Sequence, residues 1–251
     1  MDAQRVAGLW RRDGFASIED LVDAAGLAQF ATLVDDLVTR VDELPPANVH
    51  HRRAADGSTL SLEIEWTTQL QPALAATVAL RSCRALAAEA FGAEPELFFD
   101  HIIHKPARTG SGTAWHQDAV YDRFEPDRDR VHFWIPTASV AIDGGCMEFV
   151  PASHLGDVAE HRPSADDPEG HVRVAAVDDP AAVPVPLPAG GATLHHQRAM
   201  HRTGPNRSGV ARTAWILQFA RPRRPSERAA NQFRRAARLG RRLSARTAAV
   251  S

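Results

Sequence analysis

The chain has 251 residues, 44% of them hydrophobic and 24% charged, with 29 basic and 31 acidic side chains. Ordinary apolar content and a net charge of −2 exclude disorder for the bulk of the chain, and exclude a nucleic-acid binder that works by bulk electrostatics. No run approaches the ~20 apolar residues of a membrane span, the opening MDAQRVAGLWRRDGF has no signal-peptide core, and two cysteines, Cys83 and Cys146, make no disulfide framework. The expectation is one cytoplasmic domain over residues 1–251, large enough to fold without a metal or disulfide staple. Its partner is expected to be a small molecule, with no nucleic acid and no membrane; oligomeric state is left open.

Residues 1–93 read as a helical flank. Leu27, Phe30, Leu33, Val34, Leu37, Val38 and Val41 recur at helical spacing until Pro45 and Pro46 stop the run. A second helical stretch, about Ala73 to Phe91, meets Gly92 as its C-terminal cap. Between them, Thr59–Glu65 alternates as a short strand does.

Residues 94–221 change to short β-type runs between Gly, Pro, Asp and Asn. The candidate strands are Leu97–Lys105, Val131–Pro136, Cys146–Val150, Ala192–His196 and Val210–Ala220, and many short strands of this kind predict an antiparallel sandwich or barrel. Residues 155–188 form a long polar insert that reads as a lid-like connection. Residues 222–251 are an Arg-rich tail, best read as a solvated terminal segment.

The chemistry concentrates in Trp115-His116-Gln117-Asp118 and, far downstream, His201. On a strand, His116 and Asp118 share a face and can reach one metal ion, with His201 arriving from another strand. Two imidazoles and a carboxylate on one side of an ion leave positions open, the arrangement of non-haem Fe(II) oxygenases. His195 and His196 compete with His201 as the third ligand. Arg212 follows after a turn-rich TGPNRSG, where a hairpin would set its strand beside that of His201. A guanidinium near the metal suits the far carboxylate of a dicarboxylate co-substrate, and Thr203 can add a hydroxyl.

The segments WHQD, DGGCMEFVPASH and HRTGPNRSGVARTAW, with the N-terminal LWRRDGFASIEDL, resemble the phytanoyl-CoA dioxygenase family of Fe(II)/2-oxoglutarate oxygenases. That resemblance implies a mainly β fold, a double-stranded β-helix (jelly roll, cupin-like) with N-terminal helices packed against it. It implies Fe(II), 2-oxoglutarate and O2 as cofactor and co-substrates. His116, Asp118 and His201 match the family's iron ligands, Arg212 and Thr203 its co-substrate anchors, and Trp134 falls where some members place a tryptophan against the co-substrate. On the strand FFDHIIHKPARTG the match at Lys105 favours the face of Phe99, His101, Ile103 and Lys105 as pocket lining, which makes His101 a pocket candidate. Tyr121 and Arg123 follow the metal motif and are candidates to face substrate. PASH at 151–154 departs from the family's more frequent Pro-Gly-Ser-His.

The resemblance implies an oxidoreductase that hydroxylates a C–H bond of a small metabolite or natural product, releasing succinate and CO2. Epimerisation, desaturation or ring formation with the same cofactors is the alternative. Asp118 argues against a halogenase, Gln218 stands where nucleic-acid demethylases carry a second arginine, and Arg212 with Thr203 argues against a non-redox cupin-like metal protein. His50, His51, His154, His161 and His171 read as exposed or capping residues, and Cys146 as a small buried hydrophobe.

Overall fold

The first helix begins where Asp2 can cap it: its carboxylate accepts the backbone N–H of Arg5, and α1 runs over Ala3–Asp13 until Gly14, at φ 84°, turns the chain. The structure, a computed structural model, describes residues 2–54, 56–109, 112–121, 128–163, 173–175 and 181–223. Arg123, His171 and the tail beyond residue 223 lie outside them. Two further long helices follow, α2 (Ala24–Thr39), capped by Asp23, and α4 (Val78–Phe91), capped by Thr77 and closed by Gly92 at φ 63°. Thr77 thus divides the predicted Ala73–Phe91 run, its first residues forming a 3-10 turn. A four-residue helix, α3 (Thr67–Leu70), lies between.

The strands are β1 (Phe15–Ile18), β2 (Val49–Arg53), β3 (Thr59–Glu65), β4 (Glu96–Lys105), β5 (Thr113–His116), β6 (Arg130–Pro136), β7 (Met147–Phe149), β8 (His161–Pro163), β9 (Arg173–Ala175), β10 (Val183–Val185), β11 (Ala192–His196), β12 (His201–Thr203) and β13 (Arg212–Ala220). They build a seven-stranded sheet, β1-β11-β6-β13-β4-β3-β2, a four-stranded sheet, β10-β7-β12-β5, and a small β8-β9 ribbon. The paired strands run antiparallel. This is the expected jelly roll with helices on one side. Residues 1–93 are not purely a helical flank, however: β1, β2 and β3 belong to the large sheet, and β1 and β2 are too short or too polar to alternate visibly.

The predicted insert also divides. Val185 and Leu187, in and beside β10, are buried in the core between the sheets, so residues 181–188 belong to the barrel and not to a lid. Within 155–188, residues 164–172 and 176–180 lie outside those described.

Because β-strand side chains alternate, each strand of the large sheet serves two environments. Ile18, Leu194, Phe133, Ile135, Trp215, Leu217, Ile102 and Ile64 face the helices, where they meet Trp10, Phe30, Val34, Leu37, Cys83 and Leu86 in one apolar core. Each fully buried side chain of this size contributes about 1.5–3 kcal/mol. The opposite face looks at the four-stranded sheet, and there the composition changes.

Candidate active site

His116 ends β5 and His201 begins β12, and the two are register partners in the small sheet, their ring centroids 4.2 Å apart. Asp118 is not on the strand, contrary to the same-face reading: β5 stops at His116, and Asp118 opens a 3-10 turn over Asp118–Tyr121. Gln117 fixes that turn from beneath. It is buried, its Nε2 donates to the Arg198 carbonyl at 2.7 Å and its Oε1 accepts from Ala159 N at 2.8 Å. The turn swings the carboxylate inward. Asp118 Oδ1 lies 3.4 Å from His116 Nε2, and Oδ2 lies 3.7 Å from His201 Nε2.

Both imidazoles are held the same way. His116 Nδ1 is 2.8 Å from the Ala114 carbonyl and His201 Nδ1 2.9 Å from the Ala199 carbonyl. A carbonyl only accepts, so each Nδ1 carries the hydrogen, and each ring turns its Nε2 toward Asp118. That is a donor set that could hold a metal ion. Burial opposes ionisation of Asp118, but the surrounding imidazoles, His201 and His132 first, hold its carboxyl well below the usual range. Burial and the neighbouring His116 push His201 well below the ordinary histidine value, against the pull of Asp118. His116 moves the other way: burial works against its charge, yet Asp118 raises it.

A second trio shares the carboxylate, formed by Asp118, His132 and His195. His132, which the sequence reading passed over, contacts Asp118 Oδ2 through Nδ1 at 2.6 Å, and His195 Nε2 lies 3.4 Å from the same oxygen. His196 points to the opposite face, its ring 5.3 Å from that of Trp10, and its Nδ1 accepts from Arg198 N. It is therefore no rival ligand, whereas His195 lines the site.

Beyond His201 the inner face turns cationic. Arg212 begins β13, paired with Lys105 at the end of β4. The expected hairpin does not form, because β12 and β13 lie in different sheets. Buried Asn206 anchors the crossing loop through the carbonyls of Pro106 and Val210. Arg212 is 5% exposed and Lys105 1%. Thr203 Oγ1 accepts from Arg212 Nη2 at 3.4 Å and from Lys105 Nζ at 3.3 Å, and Lys105 also donates to Thr113 Oγ1 at 2.9 Å. Arg212 Nη1 donates to the Gly145 carbonyl. Gly145 sits at φ 77°, and a Cβ there would collide with Gly204 O and the guanidinium, so the glycine makes room for the arginine. Trp134, 4% exposed, faces Arg212, the guanidinium carbon 5.8 Å from its ring centroid. Neither cation meets a carboxylate among the described residues. Burial, with Arg212 and Arg52 nearby, lowers Lys105 well below an ordinary lysine, and burial lowers Arg212 to about 10.

His101 lies on the inner face of β4 as expected, ion-paired with Glu63 of β3, which the sequence reading did not single out. Burial opposes both charges, but each sustains the other, raising His101 and lowering Glu63. Tyr121 is exposed, its ring 6.4 Å from that of His116. His154, expected at the surface, is buried, with Nε2 on the Arg11 carbonyl. His161 contacts the metal motif itself, its Nε2 accepting from Gln117 N. Ala152, in the departing PASH, adopts φ 60°, a conformation that favours glycine and accounts for the family's preference there.

The phytanoyl-CoA dioxygenase (PhyH) family profile matches residues 10–214. The chain belongs to that family. Among curated members, the chain is 30% identical over 122 residues to phytanoyl-CoA dioxygenase domain-containing protein 1 of Rattus norvegicus, 47% of this chain and 42% of that protein. It is 31% identical over 125 residues, 47% of this chain and 43% of the relative, to the probable alpha-ketoglutarate-dependent hypophosphite dioxygenase of Stutzerimonas stutzeri. The match thus spans less than half the length of these relatives. Among solved structures, EvdO2 of Micromonospora carbonacea var. aurantiaca, complexed with 2-oxoglutarate, superposes with a TM-score of 0.74 at 26% identity, covering 88% of this chain and 91% of that one.

Proposed function

We propose that this family member is an Fe(II)- and 2-oxoglutarate-dependent dioxygenase that hydroxylates a C–H bond of a small molecule. The observation that carries the reading is one inner face that presents both a donor set that could hold a metal ion and, next to it, two buried basic side chains with no carboxylate partner among the described residues. Leaving Arg212 and Lys105 unpaired in the interior is costly, and a resident dicarboxylate would relieve it. A non-redox metal protein has no use for that pair.

His116, Asp118 and His201 would hold the iron, since their donor atoms converge and the two Nδ1–H groups are already committed to backbone carbonyls. When bound, iron with 2-oxoglutarate and O2 would supply oxidation of the C–H bond, with succinate and CO2 released. The chain's own residues do the positioning. Arg212 offers a guanidinium fork to the far carboxylate, Lys105 adds a second positive charge, and Thr203, poised between the two, gives a hydroxyl. Trp134 walls the space beneath Arg212 and, with Ala214 and Ile216, excludes water from it. His101 with Glu63, and Tyr121 beside His116, would face substrate in this reading.

The test is succinate formation from 2-oxoglutarate with Fe(II), with metal binding followed separately. His116→Ala, Asp118→Ala and His201→Ala should each abolish turnover and metal binding. Full activity in His201→Ala would pass its role to His195, and a wild type without succinate release would sink the oxygenase reading.

A further inference from the structure

We propose that His132 is a positioning residue that locks the Asp118 carboxylate in the orientation the metal requires; the inference rests on the function proposed above. His132 lies on the inner face of β6, a strand buried along its whole length, and is 2% exposed. It is paired in register with His195 on one side and Gln218 on the other.

The distances separate a hydrogen bond from a ligand. Two donor atoms in adjacent positions on one ion, with bonds of about 2.1 Å, sit about 3 Å apart. His116 Nε2 and His201 Nε2 stand 3.4 and 3.7 Å from the carboxylate oxygens, a spacing that a shared ion can draw in. His132 Nδ1, at 2.6 Å from Asp118 Oδ2, is already in hydrogen-bond contact. An ionised carboxylate only accepts, so Nδ1 donates. That bond takes one lone pair of Oδ2 and fixes the rotation of the carboxylate, with Oδ1 turned toward His116.

His195 is the internal control. Its Nε2 approaches the same Oδ2 only to 3.4 Å, its ring stands at 65° to that of His132, and its Nδ1, like His132 Nε2, has no partner among the described residues. Its contact is longer and weaker than that of His132, so it holds Asp118 less firmly.

The experiment measures the dissociation constant and visible spectrum of Co(II), with Fe(II) in parallel, in the absence of 2-oxoglutarate. The full-length wild type is compared with His132→Leu, His132→Asn, His132→Gln and His195→Leu, each checked by its melting temperature. Removing a hydrogen-bond partner of a metal-ligating residue typically weakens metal binding about 10–100-fold. His132→Leu should weaken Co(II) by that factor and shift its spectrum. His132→Asn, whose amide nitrogen replaces Nδ1, should recover to within a few-fold of wild type. His132→Gln, whose amide reaches past that place, should not recover, and carries the comparison with Asn if the leucine variant does not fold. His195→Leu should stay within a few-fold of wild type. Equal affinity in wild type and His132→Leu, or equal loss in the Asn and Gln variants, would overturn the inference and leave the proposed function standing. A wild type that binds no Co(II) or Fe(II) would overturn both.

Discussion

The two faces of the seven-stranded sheet are cut from the same strands and have opposite characters. Toward the helices, β6 presents Val131, Phe133 and Ile135, and β13 presents Trp215, Leu217 and Phe219, all of them apolar and buried. Toward the small sheet, the intervening positions carry His132 and Trp134 on β6 and Arg212 and Gln218 on β13, with His195 and Lys105 from their neighbours. Burial is nearly equal, so burial alone does not tell core from site. What differs is the chemistry of the polar groups. On the helix face of β4, Asp100 accepts from Thr67, Thr68 and Trp215, a closed network. On the other face, Arg212 and Lys105 have no carboxylate partner among the described residues, and the Nε2 atoms of His116 and His201 face the Asp118 carboxylate. One face stabilises the fold; the other keeps its interactions for something that binds.

The largest expected effect tests the second half of that contrast. Arg212→Leu should weaken 2-oxoglutarate binding by roughly a hundred- to several-thousand-fold, the equivalent of about 3–5 kcal/mol for breaking a buried charge pair. Arg212→Lys should be intermediate, because it keeps the charge and loses the fork. Metal affinity should stay near wild type in both. The unliganded Arg212→Leu protein should melt no lower than wild type, since it no longer buries an unpaired guanidinium. A titration of 2-oxoglutarate against succinate formation, beside a thermal melt, reads both quantities. An unchanged 2-oxoglutarate requirement would remove the co-substrate assignment.

The helix face should respond the other way. Leu217, fully buried one position beyond inner-facing Ile216, is a core residue only. Leu217→Ala should cost about 2–5 kcal/mol of folding stability through lost contacts and an unfilled cavity. At a temperature where the variant is folded, its metal and 2-oxoglutarate affinities should match wild type. Chemical denaturation gives the first number and ligand titration the second; a large loss of affinity in the folded variant would mean that the two faces are not independent.

That division explains which parts of the molecule the sequence disclosed. That His116, Asp118 and His201 would come together was legible because short motifs carry them: His116 and Asp118 are two residues apart, and Thr203 and Arg212 follow His201 closely. His132 was not, because Arg130–Pro136 is buried on both faces and shows no alternation to say which side is which. The available signal was a histidine inside a strand otherwise rich in large apolar residues. Lys105 offered another, as the only lysine in a chain whose other basic residues are arginines. Glu63 had no such mark, since alternation in Thr59–Glu65 identifies a strand without saying that its polar face is turned inward. The hairpin expected between His201 and Arg212 failed for a related reason: a run of turn residues fixes where the chain bends, but Asn206, buried and bonded to three backbone carbonyls, decides which sheet it enters next. Strand β1, four residues long at the edge of the sheet, is set by its pairing with β11, which no local pattern announces.

The smallest expected effect again pairs the two faces, through histidines that stay neutral on each. His196 faces the helices and is pushed down to about 3, by burial first and by His154 and Arg198 nearby; its Nδ1 accepts from Arg198 N and so must be unprotonated. On the inner face, burial lowers His132 to about 4 against the pull of Asp118. A histidine lowered in the folded protein is protonated first in the unfolded chain, near 6.5, so its contribution is complete above that pH and drains away as pH falls toward the folded value. Between pH 6.5 and 5, 1.5 units, each such group should remove about 2 kcal/mol, at about 1.36 kcal/mol per unit. His196→Asn keeps an acceptor for Arg198 N and cannot titrate, so it should flatten the stability-versus-pH curve over that window by about 2 kcal/mol. Because His196 lies on the helix face, away from the metal donors, the flattening should be the same with and without Fe(II). Denaturation midpoints at pH 6.5 and 5, with and without metal, measure it. An effect of His196→Asn that vanished when metal was bound would tie this histidine to the site and collapse the separation of the two faces.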